Sequence, residues 1–98
     1  MEESIMGQHP TSIPRYEGSL ENLAEAISKL RFDRLHDLLE NLRGFLASDA
    51  RVEKERRHSE LAKILTDLSD SLDQASVKAE EAFCLSARYM EEEIEVDP

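Results

Sequence analysis

Three histidines and one cysteine are the side chains with which this chain of 98 residues would bind a transition metal or act as a nucleophile. Only His36 stands among carboxylates at helical spacing. Asp33, Asp37 and Glu40 lie three, one and four residues away, so on a helix His36 and Glu40 share a face. A metal site needs more ligands than that pair, and no second His or Cys falls at i+4. Solvated helix surface and no metal is the expectation. Cys84 has no CxxC partner and is surrounded by Glu80, Glu81 and Arg88, whereas a reactive thiolate needs a base and an electropositive setting. His9 and His58 fall in segments expected to face solvent. There is no glycine-rich phosphate loop, no HExxH and no GxSxG. The reading is therefore a protein that is not an enzyme and that carries no cofactor.

The composition supports that reading. It is 40% apolar, 35% charged and 5% aromatic, with three Gly, three Pro and no Trp, which suits one all-helical domain rather than a disordered tail or a β protein. The net charge of −10 argues against nucleic acid as a partner, since phosphate binding runs through Lys and Arg. The longest apolar run, Ala82-Phe83-Cys84-Leu85, is far short of a membrane span, and the N-terminus has no basic region followed by an apolar stretch. A soluble, cytoplasmic protein is expected. Half of the charge excess, −5, sits in residues 91–98, while residues 49–58 carry +1.

The elements that position these residues follow from periodicity and breakers. Residues 1–18 hold Gly7, Pro10, Pro14 and Gly18 and read as an arm. Ser19 is the expected N-cap of the first helix, and from there to about Met90 there is no proline and one glycine, Gly44, in a helix-forming sequence. Leu20, Leu23, Ile27 and Leu30 make one stripe. Leu35, Leu38, Leu42, Phe45 and Val52 continue it. Residues 19–57 therefore read either as one helix or as two, 19–30 and 33–57, with Asp33 as a new N-cap. Residues 49–58 hold one large apolar residue in ten, Val52, so a turn is expected there with Ser59 capping the next helix. In that helix Leu61, Leu65, Leu68, Leu72, Ala75, Ala79 and Ala82 alternate steps of four and three, the period of a coiled-coil or bundle seam. Folding the chain about residue 58 sets Leu72 beside Gly44 and Ala79 beside Leu38.

The fold expected is an all-α antiparallel bundle, either a long hairpin or three helices, covering residues 19–92, with residues 93–98 as an acidic disordered tail. The apolar stripes are broad for one antiparallel contact. Leu35, Leu38, Leu42, Leu61, Leu65, Leu68, Leu72, Ala75, Ala79 and Ala82 are thus expected to form a core seam or a self-association surface that completes a four-helix bundle in a homodimer. Tyr16, just ahead of the Ser19 cap, is expected to anchor residues 13–18 against the bundle end near Leu20, Leu23 and Ser86 to Met90, with residues 1–9 mobile. Two functions fit. One is a non-enzymatic protein–protein interaction or scaffold module, with an unidentified protein as a further partner. The other is an acidic inhibitor of the immunity or antitoxin type that blocks a basic partner.

Overall fold

A computed structural model describes the backbone of residues 9–96, with side chains to Glu91. The chain is all-helical, with three helices, α1 (Leu20–Ser28), α2 (Phe32–Glu55) and α3 (Ser59–Val96), and no strand among the described residues. Ser19 caps α1 through its side chain, which accepts from the backbone N–H of Asn22 at 3.0 Å.

The stretch that the sequence leaves open as one helix or two is broken at residues 29–31. Arg31 takes an extended conformation, φ −54° and ψ 142°. Its guanidinium grips the Asp33 carboxylate through Nε at 2.6 Å and Nη2 at 2.9 Å. Asp33 is therefore not the N-cap of α2. It lies in the first turn, where its charge faces the positive end of the helix dipole, and the side chain that could have capped is held by Arg31.

The turn between α2 and α3 is built without glycine. Arg57 sits in the left-handed region at φ 67°, and the N–H groups of His58 and Arg57 donate to the carbonyls of Glu53 and Lys54 at 2.9 Å each. That crossed pair is the Schellman arrangement that satisfies the last carbonyls of a helix. His58 then starts α3, its carbonyl accepting from Ala62 N–H at 2.9 Å, while its Nδ1 lies 2.7 Å from Oε1 of Glu53. Ser59 is thus the first residue inside α3 rather than its cap. A side chain in the left-handed region costs about 1 kcal/mol that glycine avoids. Arg57→Gly is expected to stabilise the hairpin by roughly 0.5–1 kcal/mol and to raise the melting temperature by a few degrees. A thermal melt in which Arg57→Gly lowers the midpoint contradicts this description of the turn.

α2 and α3 run antiparallel, with His36 opposite Glu80 and Glu40 opposite Ser76, the register that folding about residue 58 gives. α3 has 38 residues and α2 has 24, so at about 1.5 Å per residue α3 outruns its partner by some 20 Å. Its helical backbone continues to Val96, past the expected end at 92, because Glu91 to Glu93 are good helix formers whose propensity outweighs their unfavourable place on the dipole. Asp97 and Pro98 of the expected acidic tail, and residues 1–8 of the arm, lie outside the described residues.

No residue of α1 is buried, and Leu20 is 60% exposed. The Cα atoms span 67 × 30 × 14 Å with a radius of gyration of 18.3 Å, against about 13 Å for a compact domain of this length. The molecule is a slab one helix thick.

Candidate functional site

The contact between the arms of the hairpin is narrow and made by small residues. Among the described residues the buried ones are Ala50 from α2 and Ala62, Ser69, Ser76 and Ala79 from α3. Ala62, Ser69 and Ser76 are spaced by seven, so they line one side of α3. Ser76 is fully buried. Its hydroxyl donates to the Glu40 carboxylate across the contact and also lies 2.8 Å from the Asp73 carbonyl. Ser69 Oγ donates to the Arg43 carbonyl at 3.2 Å. Arg43 in turn donates to Glu40 Oε1 through Nε at 3.2 Å and Nη2 at 3.0 Å, and its Nε lies 3.7 Å from Asp73 Oδ1. A polar clasp of Glu40, Arg43, Ser69, Asp73 and Ser76 thus fixes the register of the hairpin, because sliding either arm by one turn would strand these groups.

The hydroxyl of Ser76, and then the Arg43 guanidinium, hold the Glu40 carboxyl below its ordinary value of 4.5. A carboxyl whose pKa is lower folded than unfolded adds stability above the unfolded value, and that contribution is lost as the pH falls through the folded one. Asp33, held down chiefly by its hydrogen bond from Arg31, has the same sign. Glu40→Gln is therefore expected to be less stable than the parent at pH 7, with the gap closing below about pH 4.5. Urea titrations followed by circular dichroism between pH 3 and pH 7 check this. A gap of constant size across that range contradicts it.

The leucines of the stripes lie mostly beside this contact rather than in it. On α2, Leu35 is half-buried, while Leu38 and Leu42 are exposed, as are Phe45, at 73%, and Val52. On α3, Leu65 and Leu72 are half-buried, Ala79 is buried and Ala82 is half-buried; Leu61, Leu68 and Ala75 are exposed, with Ile64 beside them. Successive residues turn by about 100° on a helix, which brings both exposed stripes to the same side of the slab. A cleft lined by Leu46, Val52, Leu61 and Leu65, together with Asp49, Glu53 and Arg56 of α2 and His9 of the arm, marks that side. The opposite side is different. Its cleft is lined by Arg43, Arg51, Lys54, Lys63, Asp67 and Asp70 around small residues. Most of the exposed leucines thus lie on one broad face, while the other carries these charged residues near the turn and the exposed Val77 and Leu85 towards the far end of α3.

The remaining candidates are dispersed. His36 lies 3.4 Å from Asp37 Oδ1 and 4.0 Å from Glu80 Oε1, and among the described residues no three His, Cys, Asp or Glu side chains come together as a metal site. Cys84 is exposed. Tyr16 is half-buried, its N–H donating to the Ile13 carbonyl at 3.1 Å. Its ring lies over Gly18, where an added Cβ would meet Cζ at 2.7 Å. Among the described residues no helix is long and apolar enough to cross a membrane.

The residues that sequence reasoning missed are Ser69, Ser76 and Arg43. The available signal was the seven-residue repeat of small side chains through Ala62. Comparison of the chain with protein-family models, with curated proteins and with solved structures finds no match.

Proposed function

We propose that this protein is a non-enzymatic interaction module whose working surface is the apolar face of the hairpin, and that this face first meets a second copy of the chain to close a four-helix bundle. One observation carries the proposal. A helical domain is stable when the apolar side of one layer is covered by another, and this chain is a single layer 14 Å thick. Its accessible surface is 8230 Å², where a compact monomer of 11.2 kDa would expose about 5700 Å². The excess of about 2500 Å² reflects the open, single-layer shape, to which the N-terminal arm, α1 and the overhanging end of α3 contribute along with the broad apolar face. A patch that pairs with its own copy about a two-fold axis closes the assembly at two subunits and leaves no apolar face over.

The charge pattern supports an interaction module over an electrostatic inhibitor. An inhibitor that blocks a basic site needs carboxylates spread over a folded face, while half of this chain's excess lies in residues 91–98. The experiment is carbene footprinting of Leu42, Phe45, Ile64 and Leu68 at rising protein concentration. Labelling of these four is expected to fall as the concentration rises, while labelling on the charged face around Lys63 stays constant. Labelling of these four positions that stays as high as in the dilute, folded and monomeric double variant Leu42→Glu/Leu68→Glu at every concentration up to hundreds of micromolar contradicts the proposal.

A further inference from the structure

We infer that the cleft on the broad face opposite the exposed leucines is a docking groove for an amphipathic helix of a partner protein that carries carboxylates along one flank. The cleft has a volume of about 640 Å³ and lies over the seam of the hairpin near its turn. Ala47 and Ala50 of α2 form its floor with Ala62, Thr66 and Ser69 of α3, and no side chain of that floor is longer than threonine. In the observed register Ala47 lies at the level of Ser69 and Lys54 at the level of Ala62, so the floor runs for about 10 Å, two turns of a helix. Two antiparallel helices that approach through small residues leave a furrow between them. A third helix fills such a furrow, because small side chains let its axis come within the roughly 8–10 Å at which helices pack.

Charge selects the occupant. The charged side chains that α2 brings to the cleft, Arg43, Arg51 and Lys54, are all basic, while α3 brings Lys63, Asp67 and Asp70. Arg43 is engaged by Glu40, and Lys63 lies 3.2 Å from Asp67. Arg51 and Lys54 are exposed and form no ion pair with a described residue. They stand three residues apart on one side of α2, where carboxylates at i and i+4 of a docked helix meet them. The α2 side of the cleft is thus positive in a chain whose net charge is −10. Glu91, where the dense run of carboxylates begins, is 21 residues beyond Asp70 on α3. That is about 30 Å, several Debye lengths at about 0.15 M salt, so an acidic partner feels the local cations and not the distant acid. The alanines of the floor offer no donor to a phosphate but accept the apolar ridge of a helix, which favours protein over nucleic acid. A dimer closed through the leucines leaves the cleft of each copy open, so the groove is available in monomer and dimer alike.

The test is a titration of the intact chain into a fluorescent peptide of about 15 residues, long enough to be helical when docked. The peptide has a ridge of alanine and leucine, glutamate at i, i+4 and i+8 along one flank and glutamine elsewhere; a second peptide has lysine in place of each glutamate. Saturable binding of the glutamate peptide, with a dissociation constant below about 1 mM, is expected. Arg51→Glu/Lys54→Glu should weaken it at least tenfold. Thr66→Tyr, which fills the middle of the cleft and leaves every charge in place, should weaken it as much. All three residues are exposed, so circular dichroism should show the helix content of the parent. Lys78→Glu/Arg88→Glu, the same change of charge at the far end of α3, should alter binding by less than about twofold. No saturable binding up to about 1 mM, equal binding of the lysine peptide, or equal weakening by Lys78→Glu/Arg88→Glu overturns the groove. Parent-like binding by Thr66→Tyr overturns it too, since the peptide would then lie on surface charges outside the cleft. Tighter binding of oligothymidylate than of the glutamate peptide would make phosphate the ligand and would equally overturn it.

Discussion

Replacing Leu42 and Leu68 together by glutamate is expected to yield a helical monomer. Both leucines lie near the centre of the apolar face and are 44% and 45% exposed within one chain, so the hairpin itself loses little when they change. In the proposed dimer they are covered. Burying a leucine contributes about 1.5–3 kcal/mol, and forcing a carboxylate into the same place adds a desolvation penalty of several kcal/mol unless it is paired. With two altered sites in each copy, the dissociation constant is expected to rise by at least 10³-fold, since every 1.4 kcal/mol is a factor of ten. Circular dichroism at low concentration should show unchanged helix content. A double variant that sediments as a dimer of undiminished affinity contradicts the assignment of the interface to this face.

The second large effect concerns the contact between α2 and α3. Ser76 is fully buried, with its hydroxyl on Glu40. Ser76→Leu would put a branched side chain with two more heavy atoms where the helices approach closely, an overpacking that costs about 1–3 kcal/mol. It also removes a charge-assisted hydrogen bond worth about 1.5–3 kcal/mol. A loss of about 3–5 kcal/mol follows, a large part of the 5–15 kcal/mol that holds a small domain folded. The urea midpoint should fall sharply and the melting temperature by more than 10 °C. Ser76→Ala, which keeps the space and loses only the hydroxyl, is expected to cost about 1–2 kcal/mol. If both variants melt with the parent, the clasp does not hold the hairpin together.

The contrast between these two sites shows what was legible in the sequence. Periodicity found the leucine stripes, and it located the turn correctly because the segment from Asp49 to His58 offers almost nothing apolar to bury. The same signal could not say which side of each helix faces the other arm. Two helices joined in a hairpin approach most closely through small residues, so Ala62, Ser69 and Ser76 form the contact while Leu61 and Leu68, one position round the helix, are left at the surface. A search for large apolar side chains passes over a seam of alanine and serine. Glu40 was legible only as a neighbour of His36, because its decisive partner, Ser76, is 36 residues away in sequence and is chosen by the register of the fold. The break between α1 and α2 depends on a pair two residues apart, Arg31 and Asp33. A sequence shows that such a pair is available, though not that it takes the aspartate away from capping. The left-handed Arg57 gave no signal at all, since the residue expected in that conformation is glycine.

The most direct test is the mass of the unmodified chain in solution. Sedimentation equilibrium from about 1 to 200 µM measures it, since interfaces of a given size range in affinity from micromolar to picomolar and any of these is dimeric at the top of that range. If the exposed leucines of α2 and α3 are the surface on which two copies meet, the data will fit a monomer–dimer equilibrium approaching twice the 11.2 kDa of one chain. A single species of 11.2 kDa at every concentration would contradict it.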